Sequence, residues 1–573
     1  MELEWRSAMG HGVTVDIGVQ SFEKICARRS FYIDKTGLIR EWWQNGADVT
    51  LITRPRRFGK TLNLSMLECF FSNQYAGRAD LFERFSIWED EYYRRLQGAY
   101  PVIFLSFAKV KSADYEGMDY AIKKIISDVY RQNRFLLDSG ILDRNETEYF
   151  ESIKPEMESA VAADAINTLA GFLNRYYDTN VIILLDEYDT PMQEAWLSGY
   201  WDEAVRFFRS FFNAVFKTNP YLQRGLITGI TRISRESIFS DLNNLEVVTT
   251  TSEKYAQYFG FTEKEVFTAL DETGLGGEKQ GVRDWYDGFT FGKIGDIYNP
   301  WSIANFISRS GEYDTYWADS SGNGLVNSLV RTGSSKLKKN MELLMQGGNI
   351  DVEIDEQIVF DQLDDDENAI WSLLLATGYL RVVRLERTGR FLKKNYTLSL
   401  TNREVESMFA KMIRGWFRNT ADVYNEFIRA LLDDNVKKMN IFMNKVAVSI
   451  FSSFDSGSKP SQETEPERFY HGFVLGMAVD LADRYKIRSN RESGYGRYDV
   501  MMEPLDKKGK AFIFEFKVLD KDDSETALED TVANALAQIE EKRYETELIA
   551  DGILPGNIRK YGFAFEGKKC LIG

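Results

Sequence analysis

The stretch VTLITRPRRFGKTLNLSMLECFF, residues 49–71, decides the fold of the first third of this chain. It begins with an apolar run that predicts a buried strand, and the part from Leu62 to Phe71 has the spacing of a helix. The loop between them ends in Gly59-Lys60-Thr61, which matches the end of the phosphate-binding pattern G-x-x-x-x-G-K-[ST]. A strand, a loop and a helix N-terminus in this order present backbone N–H groups to an anion. The segment therefore predicts a nucleoside triphosphate site.

The loop residues have defined roles in such a site. Lys60 is expected to reach the β- and γ-phosphates, and Thr61 to offer its hydroxyl to Mg²⁺. The first glycine of the pattern is replaced by Arg54, so Pro55 and two further arginines must shape the loop. A chance tripeptide at a helix start is the alternative, and the flanking strand and helix disfavour it. The predicted nucleotide-binding residues of the loop are Arg57, Phe58, Gly59, Lys60 and Thr61.

A second buried strand, Val181–Leu185, is followed by two carboxylates. Asp186 is expected to hold the metal ion through water, and Glu187 to polarise the attacking water. Either half alone is weak evidence, but a phosphate loop and an acidic strand together favour a site for ATP or GTP. Asp186 and Thr61 are therefore predicted metal-site residues, Asp186 also binds the nucleotide through that metal, and Glu187 is a predicted catalytic residue.

A third element, residues 225–235, predicts an inner strand that ends in polar and basic groups beside the phosphates. Thr231 or Arg232 can sense the γ-phosphate there, and Arg235 can serve as an arginine finger in cis or in trans. An arginine in trans would require a homo-oligomer, which the sequence leaves open. The alternative, that these arginines cap a helix or meet acidic neighbours, is about equally well supported.

Length and charge limit the remaining possibilities. At 573 residues the chain is too long for one hydrophobic core. Its net charge of −16 excludes attraction to nucleic acid through the whole-molecule field, so a polynucleotide would have to bind at a local basic groove. Three cysteines without paired spacing fit a reducing compartment. Because neither a basic, apolar leader nor a membrane-length apolar run is present, we expect a cytoplasmic protein without membrane contact.

Strand-like and helical runs alternate over the first ~250 residues, which predicts a parallel sheet covered on both faces. The predicted strands are Val49–Thr53, Pro101–Phe107, Val181–Asp186 and Gly225–Ile233. From Glu253 onward the periodicity becomes helical and predicts a helical lid or winged-helix-like region. A polar stretch at Ser452–Glu465 indicates a linker before the last domain. The predicted class is α/β, with domains at residues 1–252, 253–451 and 452–573.

The C-terminal region carries a second candidate site. Residues 498–502 and 511–518 predict two strands joined by a short polar turn, that is, a hairpin. The alternation of a strand places Glu515 and Lys517 on one face, and Asp499 on the neighbouring strand can meet them. Two carboxylates and a backbone carbonyl form a hard-oxygen site for Mg²⁺ or Mn²⁺. With a lysine that orients or deprotonates water, these are the parts that metal-assisted phosphodiester hydrolysis requires.

An exposed strand face with a salt bridge is the alternative interpretation of Glu515 and Lys517. The preceding aspartate, the alternation and the helix that follows favour the metal site. Glu467, near the start of an apolar helix, is a candidate for an extra carboxylate ligand. Gln538 and Lys542 are four residues apart and share a helix face, where they can touch metal-bound water or a phosphate. Both can equally be surface residues.

With both sites placed, the chain resembles the bacterial AAA-ATPase-like proteins that carry a C-terminal PD-(D/E)xK nuclease-superfamily domain. The resemblance implies a P-loop nucleoside-triphosphatase module and a restriction-endonuclease-like α/β domain, without implying a substrate. It also implies that the arginine-for-glycine change is the family's own variant of the loop. The segments that carry it are Phe31–Thr36, Arg54–Thr61, Leu184–Asp189, Ile238–Asn244, Trp285–Phe289, Tyr298–Ser302, Thr377–Leu380, Asn402–Val405, Phe469–Gly472 and the set Asp499, Glu515 and Lys517.

These observations favour an ATP-binding and ATP-hydrolysing enzyme coupled to a metal-dependent nuclease that acts on DNA or RNA. ATP and Mg²⁺, or Mn²⁺ at the C-terminal site, are the expected cofactors. The alternative is a nucleotide-dependent switch or scaffold whose nuclease-like domain binds nucleic acid or a partner protein without cutting. A plain ATPase motor, in which the C-terminal domain only docks, is a third possibility. The sequence leaves the nature of the polynucleotide and the mode of cleavage open.

Overall fold

The computed structural model describes residues 15–217, 219–232, 238–239, 242–318, 324–355, 366–390, 393–417, 421–454, 465–493, 496–519 and 525–573. The chain divides into two compact units. The first comprises Met1–Ser321 with Asp351–Val405, and the second comprises Gly322–Ile350 with Glu406–Gly573. The three-domain division drawn from the sequence stays a prediction.

Five parallel strands form the sheet of the first unit, in the order β2-β3-β4-β1-β5. Both β1 and β3 have the predicted bounds and are buried along their whole length. Their unbroken apolar runs are typical of central parallel strands that helices cover on both faces. The parallel sheet predicted from the alternation is therefore confirmed. The strands are β1 (Val49–Thr53), β2 (Val102–Ser106), β3 (Val181–Asp186), β4 (Leu222–Gly229) and β5 (Leu245–Val248).

The part of the chain after β5 corrects one expectation. It was predicted to be helical, but the structure contains two three-stranded sheets there, in the orders β6-β8-β7 and β10-β11-β9. The signal was missed because most of these strands are short, and the longest, β10, is charged and exposed over most of its length. The strands are β6 (Phe261–Thr262), β7 (Phe289–Phe291), β8 (Ile294–Tyr298), β9 (Ile350–Glu353), β10 (Leu380–Thr388) and β11 (Lys393–Leu400).

The second unit is built on a mixed sheet in the order β12-β13-β14-β15-β16. Its neighbours are antiparallel except for β14 and β15, which run parallel. The hairpin predicted around Asp499 and Glu515 is the β13–β14 pair, and the overall α/β class is confirmed. The strands are β12 (Tyr485–Ser493), β13 (Gly496–Pro504), β14 (Ala511–Val518), β15 (Ile558–Glu566) and β16 (Lys569–Ile572).

Helices cover these sheets, and short 3₁₀ segments connect them. No helix in the described part of the chain combines the length and apolar character that a bilayer crossing requires. The described helices are α1 (Phe22–Arg28), α2 (Gly37–Gln44), α3 (Lys60–Phe71), α4 (Glu91–Arg94), α5 (Tyr115–Gln132), α6 (Arg144–Ser152), α7 (Ser159–Tyr177), α8 (Thr190–Ser198), α9 (Trp201–Phe212), α10 (Glu263–Glu272), α11 (Lys279–Tyr286), α12 (Pro300–Ser308), α13 (Gly324–Thr332), α14 (Ser335–Met345), α15 (Glu367–Ala376), α16 (Arg403–Trp416), α17 (Ala421–Leu432), α18 (Val436–Phe454), α19 (Glu465–Asp480), α20 (Leu528–Lys542) and α21 (Thr546–Ala550).

Two asparagines of α18 cover the open edge of β16. Asn440 donates to the carbonyl of Ile572 and accepts from its N–H, both at 2.8 Å. One helical turn later, Asn444 does the same for Cys570, at 2.6 and 2.9 Å. The side chains thus take the place of a further strand, and they satisfy the backbone groups through which a sheet edge pairs with other chains.

Replacing both asparagines, Asn440→Ala with Asn444→Ala, is expected to destabilise the second unit. Each hydrogen bond contributes about 1 kcal/mol, so the loss is several kcal/mol and the thermal midpoint falls by several degrees. Hydrogen exchange at the amides of Cys570 and Ile572 should accelerate. Lys437→Ala, an exposed change on the same helix, is the control. Unchanged protection of the two amides would contradict the edge-covering role.

Candidate functional site

The phosphate loop connects β1 to α3. Gly59 occupies the left-handed region (φ 79°) immediately before the helix begins at Lys60. Thr61, in the first helical turn, donates to one carboxylate oxygen of Asp186 at 2.7 Å. Thr228, on β4, donates to the other oxygen at 2.6 Å. Because β4 lies between β1 and β3, the predicted loop and the predicted acidic strand meet at the carboxyl edge of the sheet.

Lys60 is buried at this edge. Its ammonium donates to the carbonyls of Arg54 and Pro55, both at 2.9 Å. Burial lowers the pKa of Lys60, and the carboxylates of Glu187 and Asp186 oppose that shift. A cation held by loop carbonyls and facing acidic groups is placed to exchange those carbonyls for phosphate oxygens.

Arg54, which replaces the first glycine of the loop pattern, is fully buried. Its guanidinium donates to the carbonyls of Thr53 (2.9 Å), Thr249 (2.6 Å) and Lys254 (3.1 Å). It also lies 4.5 Å from the ring centre of Phe291. Burial without a carboxylate partner lowers the pKa of Arg54 to about 9. The long side chain therefore ties the start of the loop to the segment after β5, a role that the sequence did not reveal.

The neighbouring loop residues Arg57 and Phe58 have different surroundings. Phe58 is fully buried, with its ring centre 4.8 Å from that of Phe289, so only its backbone can face a phosphate. Arg57 is exposed in the left-handed region (φ 65°), and its guanidinium lies 4.1 Å from the ring centre of Trp301. Strand β7, through Phe289, and the first turn of α12, through Trp301, are thus part of the support of the loop.

A buried network holds the middle of the loop. The carbonyl of Arg56 accepts hydrogen bonds from the Trp317 indole (3.0 Å) and the Asn299 amide (3.3 Å). Glu404 in turn accepts from the backbone N–H of Trp317 (2.6 Å) and the hydroxyl of Ser302 (2.8 Å). Burial raises the pKa of Glu404 to about 7. Residues far apart in sequence therefore fix the loop, which explains how it dispenses with the first glycine.

Asp189 was assigned no role from the sequence, yet it organises the end of β4. One of its oxygens accepts from the backbone N–H of Ile230 (2.9 Å) and from the N–H and hydroxyl of Thr231 (2.8 and 2.9 Å). A side chain at Gly229 would collide with Tyr188, whose ring atoms would lie 2.6 Å from its Cβ. Thr231 is thus fixed beside the acidic strand.

The remaining predicted residues of this site are placed as follows. Glu187 follows β3 directly in the left-handed region (φ 52°) and accepts from the Thr190 hydroxyl at 3.2 Å. Arg232 is half-buried immediately after Thr231. Arg235 lies outside the described residues, so its predicted finger role stays a prediction.

The C-terminal site is centred on Glu515, which is 4% exposed on β14. Gln538 of α20 donates to its Oε1, whereas its Oε2 has no hydrogen-bond partner among the described residues. On the adjacent strand, Asp499 accepts from the backbone N–H of Phe516 at 2.8 Å. Lys517, which is half-buried, lies on β14 two residues after Glu515. The structure therefore brings Asp499, Glu515 and Lys517 together.

The pKa of Glu515 is far from the usual value of a carboxyl group. Burial and the neighbouring Asp499 carboxylate raise the pKa of Glu515 to about 8, and Lys517 opposes the shift. A buried carboxyl group with a raised pKa beside a second carboxylate is typical of metal and catalytic sites.

The side chains of Asp499 and Glu515 supply some, but not all, of the ligands that a hard divalent cation requires. An unpartnered buried oxygen of Glu515 beside a second carboxylate is the arrangement that Mg²⁺ or Mn²⁺ satisfies. Within the described residues, no cluster of three or more histidine, cysteine, aspartate or glutamate side chains is present. A third ligand would have to be the backbone carbonyl or Glu467, which lies in α19 and whose side chain is outside the described part. Lys542 lies one turn of α20 beyond Gln538.

Comparison with known proteins finds two family matches along the chain. Residues 16–239 match the family model described as a predicted AAA-ATPase, and residues 465–573 match that of the PD-(D/E)XK nuclease superfamily. The chain thus combines an AAA-ATPase-like segment with a nuclease-superfamily segment. The resemblance noted in the sequence is confirmed.

Two individual proteins show what else the chain is similar to. An uncharacterized protein in the vnfD 5' region of Azotobacter chroococcum mcd 1 is 23% identical over 556 residues, which cover 94% of either chain. The ORC2 protein of Aeropyrum pernix, in its ADPNP and ADP complexes, is 11% identical and aligns over 71% of this chain and 98% of its own. Its TM-score of 0.22 does not establish a common fold.

Restoring the glycine, Arg54→Gly, is expected to weaken the AAA-ATPase-like segment. The change removes three hydrogen bonds to carbonyls and the contact with Phe291, so nucleotide affinity should fall about tenfold or more and the thermal midpoint should drop. Binding of a fluorescent ATP analogue measures the first effect. Arg54→Lys, which keeps the charge without the planar fork, should also be impaired. Wild-type affinity in Arg54→Gly would contradict the clamp role.

In metal-free buffer, Glu515→Gln is expected to flatten the pH dependence of stability of the nuclease-superfamily segment. Folding raises the pKa of Glu515 from 4.5 to about 8. The stabilising contribution of the protonated form is therefore complete below pH 4.5 and is lost as the pH rises through about 8. Thermal midpoints on either side of this window measure the effect, with the exposed change Glu541→Gln as control. Equal pH profiles for wild type and Glu515→Gln would contradict the raised pKa.

Proposed function

We propose that this protein is an ATP-hydrolysing P-loop enzyme coupled to a metal-dependent phosphodiesterase that acts on nucleic acid. The observation that carries the proposal is the carboxylate pair of buried Glu515 and half-buried Asp499, with Lys517 beside it. It occurs in a chain whose phosphate loop and acidic strand also converge. The matches to an ATPase-like and a nuclease-superfamily model support the same combination.

In the nucleotide site, the side chains of this chain provide binding and orientation. Lys60 offsets the charge of the β- and γ-phosphates, and Thr61 with Asp186 would hold the Mg²⁺ that accompanies ATP. Glu187, immediately after the metal-holding carboxylate, orients the attacking water. Thr231, fixed by Asp189, and the adjacent Arg232 sense the γ-phosphate from β4. An arginine finger from Arg235 in a homo-oligomer remains part of this proposal.

In the nuclease-like site, Asp499 and Glu515 would hold the divalent cation, with Glu467 as a further candidate ligand. The cation would supply charge compensation for the phosphate and for the leaving oxygen. Lys517 orients the attacking water and, as the neutral amine, takes up its proton. The water oxygen bonds to phosphorus, the bond to the leaving sugar oxygen breaks, that oxygen takes up a proton from solvent, and Lys517 returns its proton to solvent. Gln538, already bound to Glu515, fixes the carboxylate that faces the cation.

The cysteines form no disulfide bond, which fits the reducing compartment expected from the sequence. Cys26, Cys69 and Cys570 are all unpaired. We infer a cytoplasmic enzyme whose partners are ATP and a polynucleotide.

A switch or scaffold that binds without cutting is the second candidate. The net charge of −16 favours it, because the field of the whole molecule repels a polynucleotide substrate. In that case the nuclease-like segment would bind its partner without a divalent cation and yield no product.

Lys517→Ala is expected to reduce cleavage of labelled DNA or RNA by about a hundredfold or more, because a proton-transfer group is lost. ATP hydrolysis should be unaffected. Lys60→Ala should lose ATP hydrolysis and, with it, any effect of ATP on cleavage. Product formation in Mg²⁺ or Mn²⁺, with and without ATP, is the measurement.

Lys508→Ala, an exposed lysine in the turn before β14, is the matched control and should cut as wild type does. Cleavage that survives in Lys517→Ala would contradict the nuclease assignment. Cleavage whose ATP response survives in Lys60→Ala would contradict the coupling. No cutting by any form, together with metal-independent binding, would support the scaffold.

A further inference from the structure

The β10–β11 hairpin is a basic ribbon on an acidic protein. We use "basic ribbon" for its described arms, residues 380–390 and 393–400. The ribbon contains six cationic residues and one acidic residue, Glu386, whereas the whole chain carries a net charge of −16. The exposed cations are Arg381, Arg384, Arg387, Arg390, Lys393 and Lys394.

Some of these charges are compensated within the protein. Arg384 lies 3.1 Å from Glu386, and Lys393 lies 3.2 Å from Glu353 of β9. Arg387 and Arg390, in contrast, have no acidic partner among the described residues. The outer part of the ribbon therefore carries uncompensated positive charge.

Cross-strand register adds a second observation. Arg387 is directly opposite Lys394 in the antiparallel pair. Like charges in directly opposite positions repel each other. A polyanion bound along the ribbon would contact both cations.

The ribbon also exposes apolar side chains. Val383 is 51% exposed and Leu385 is 44% exposed, both on the strand that carries the arginines. Leu385 and Arg387 are two residues apart on one strand and so share a face, where they can contact the apolar edge of a base and a phosphate together. The match of residues 465–573 to the nuclease superfamily favours a polynucleotide over an acidic lipid or peptide surface.

We propose that the basic ribbon is a docking element for duplex DNA. A two-stranded ribbon fits the major groove of B-form DNA, which is about 12 Å wide, whereas the major groove of duplex RNA is too deep and narrow for side chains to enter. This inference deepens the proposed function by naming its polynucleotide. Binding itself depends on neither ATP hydrolysis nor cleavage.

The residues just before the ribbon lie close to the phosphate loop. The rings of Tyr379 and Trp317 are tilted against each other with centres 5.4 Å apart, and the Trp317 indole donates to the Arg56 carbonyl. A Cβ added at Gly378 would lie 2.9 Å from Pro55. DNA on the ribbon is therefore expected to change ATP turnover, a step that rests on the proposed ATPase.

The test is the double variant Arg387→Ala with Arg390→Ala, studied by fluorescence anisotropy of a labelled duplex of about 30 base pairs in EDTA without nucleotide. We expect affinity to fall about tenfold. Log affinity falls with log salt concentration by about 0.9 for each phosphate contact. The loss of two contacts should therefore make this slope shallower by about two. Lys124→Ala with Lys264→Ala, which removes the same charge from exposed positions elsewhere, is the control and should bind as wild type does.

Unchanged affinity and salt slope in the ribbon variant would overturn the proposal, as would an equal loss in the control. Tighter binding to duplex RNA, or to vesicles of phosphatidylserine, would overturn the choice of DNA. The assay in EDTA reports binding without cleavage, so a protein that fails to cut DNA but still binds it through the ribbon separates a failed nuclease from a failed docking element. Stimulation of ATP hydrolysis by the duplex, lost in the ribbon variant, would extend the inference to the phosphate loop.

Discussion

The nucleotide site depends on Asp186, a buried carboxylate at the end of β3. It accepts one hydrogen bond from Thr61 in the phosphate loop helix and one from Thr228 on β4. Burial raises the pKa of this group, and the two hydroxyl donors oppose the shift. Parallel strands bring their carboxyl ends to one edge of the sheet. The Asp186 side chain therefore links helix α3, strand β3 and strand β4 at that edge.

A second constraint follows from the missing glycine. A loop that lacks the flexible first position must be held in its conformation by other means, and here Arg54 and the carbonyl of Arg56 are bound from outside the loop. Burying a guanidinium without a carboxylate is costly, and three carbonyl acceptors and an aromatic face offset that cost. The loop is thus held at its start and in its middle, whereas Lys60, at its end, makes only carbonyl contacts.

The sequence predicted the elements whose signals are local. Val49–Thr53 and Val181–Asp186 were predicted with the bounds that the structure gives, because buried parallel strands are unbroken apolar runs. The β13–β14 hairpin also followed from alternation and a polar turn. Its strands place Glu515, Lys517 and Asp499 together, as the alternation required.

Nonlocal features escaped prediction. Trp317 reaches Arg56 across 261 residues, and Arg54 reaches Thr249 across 195, so no window of sequence contains either contact. Asp189 looked like an ordinary residue at a helix start, although it organises Thr231. The strands of the middle region were missed in part because β10 lacks the alternation of apolar and polar residues that marks a half-buried strand, and carries exposed arginines instead. That same exposed charge is what distinguishes the ribbon.

The most direct test of this account is calorimetric binding of a non-hydrolysable ATP analogue, with and without Mg²⁺, to wild type and to Asp186→Asn. We predict that wild type binds the analogue and that Mg²⁺ strengthens the binding. In Asp186→Asn the Mg²⁺ effect should disappear while the protein stays folded. Absence of binding by wild type, or a Mg²⁺ effect that persists unchanged in the variant, would contradict the central claim.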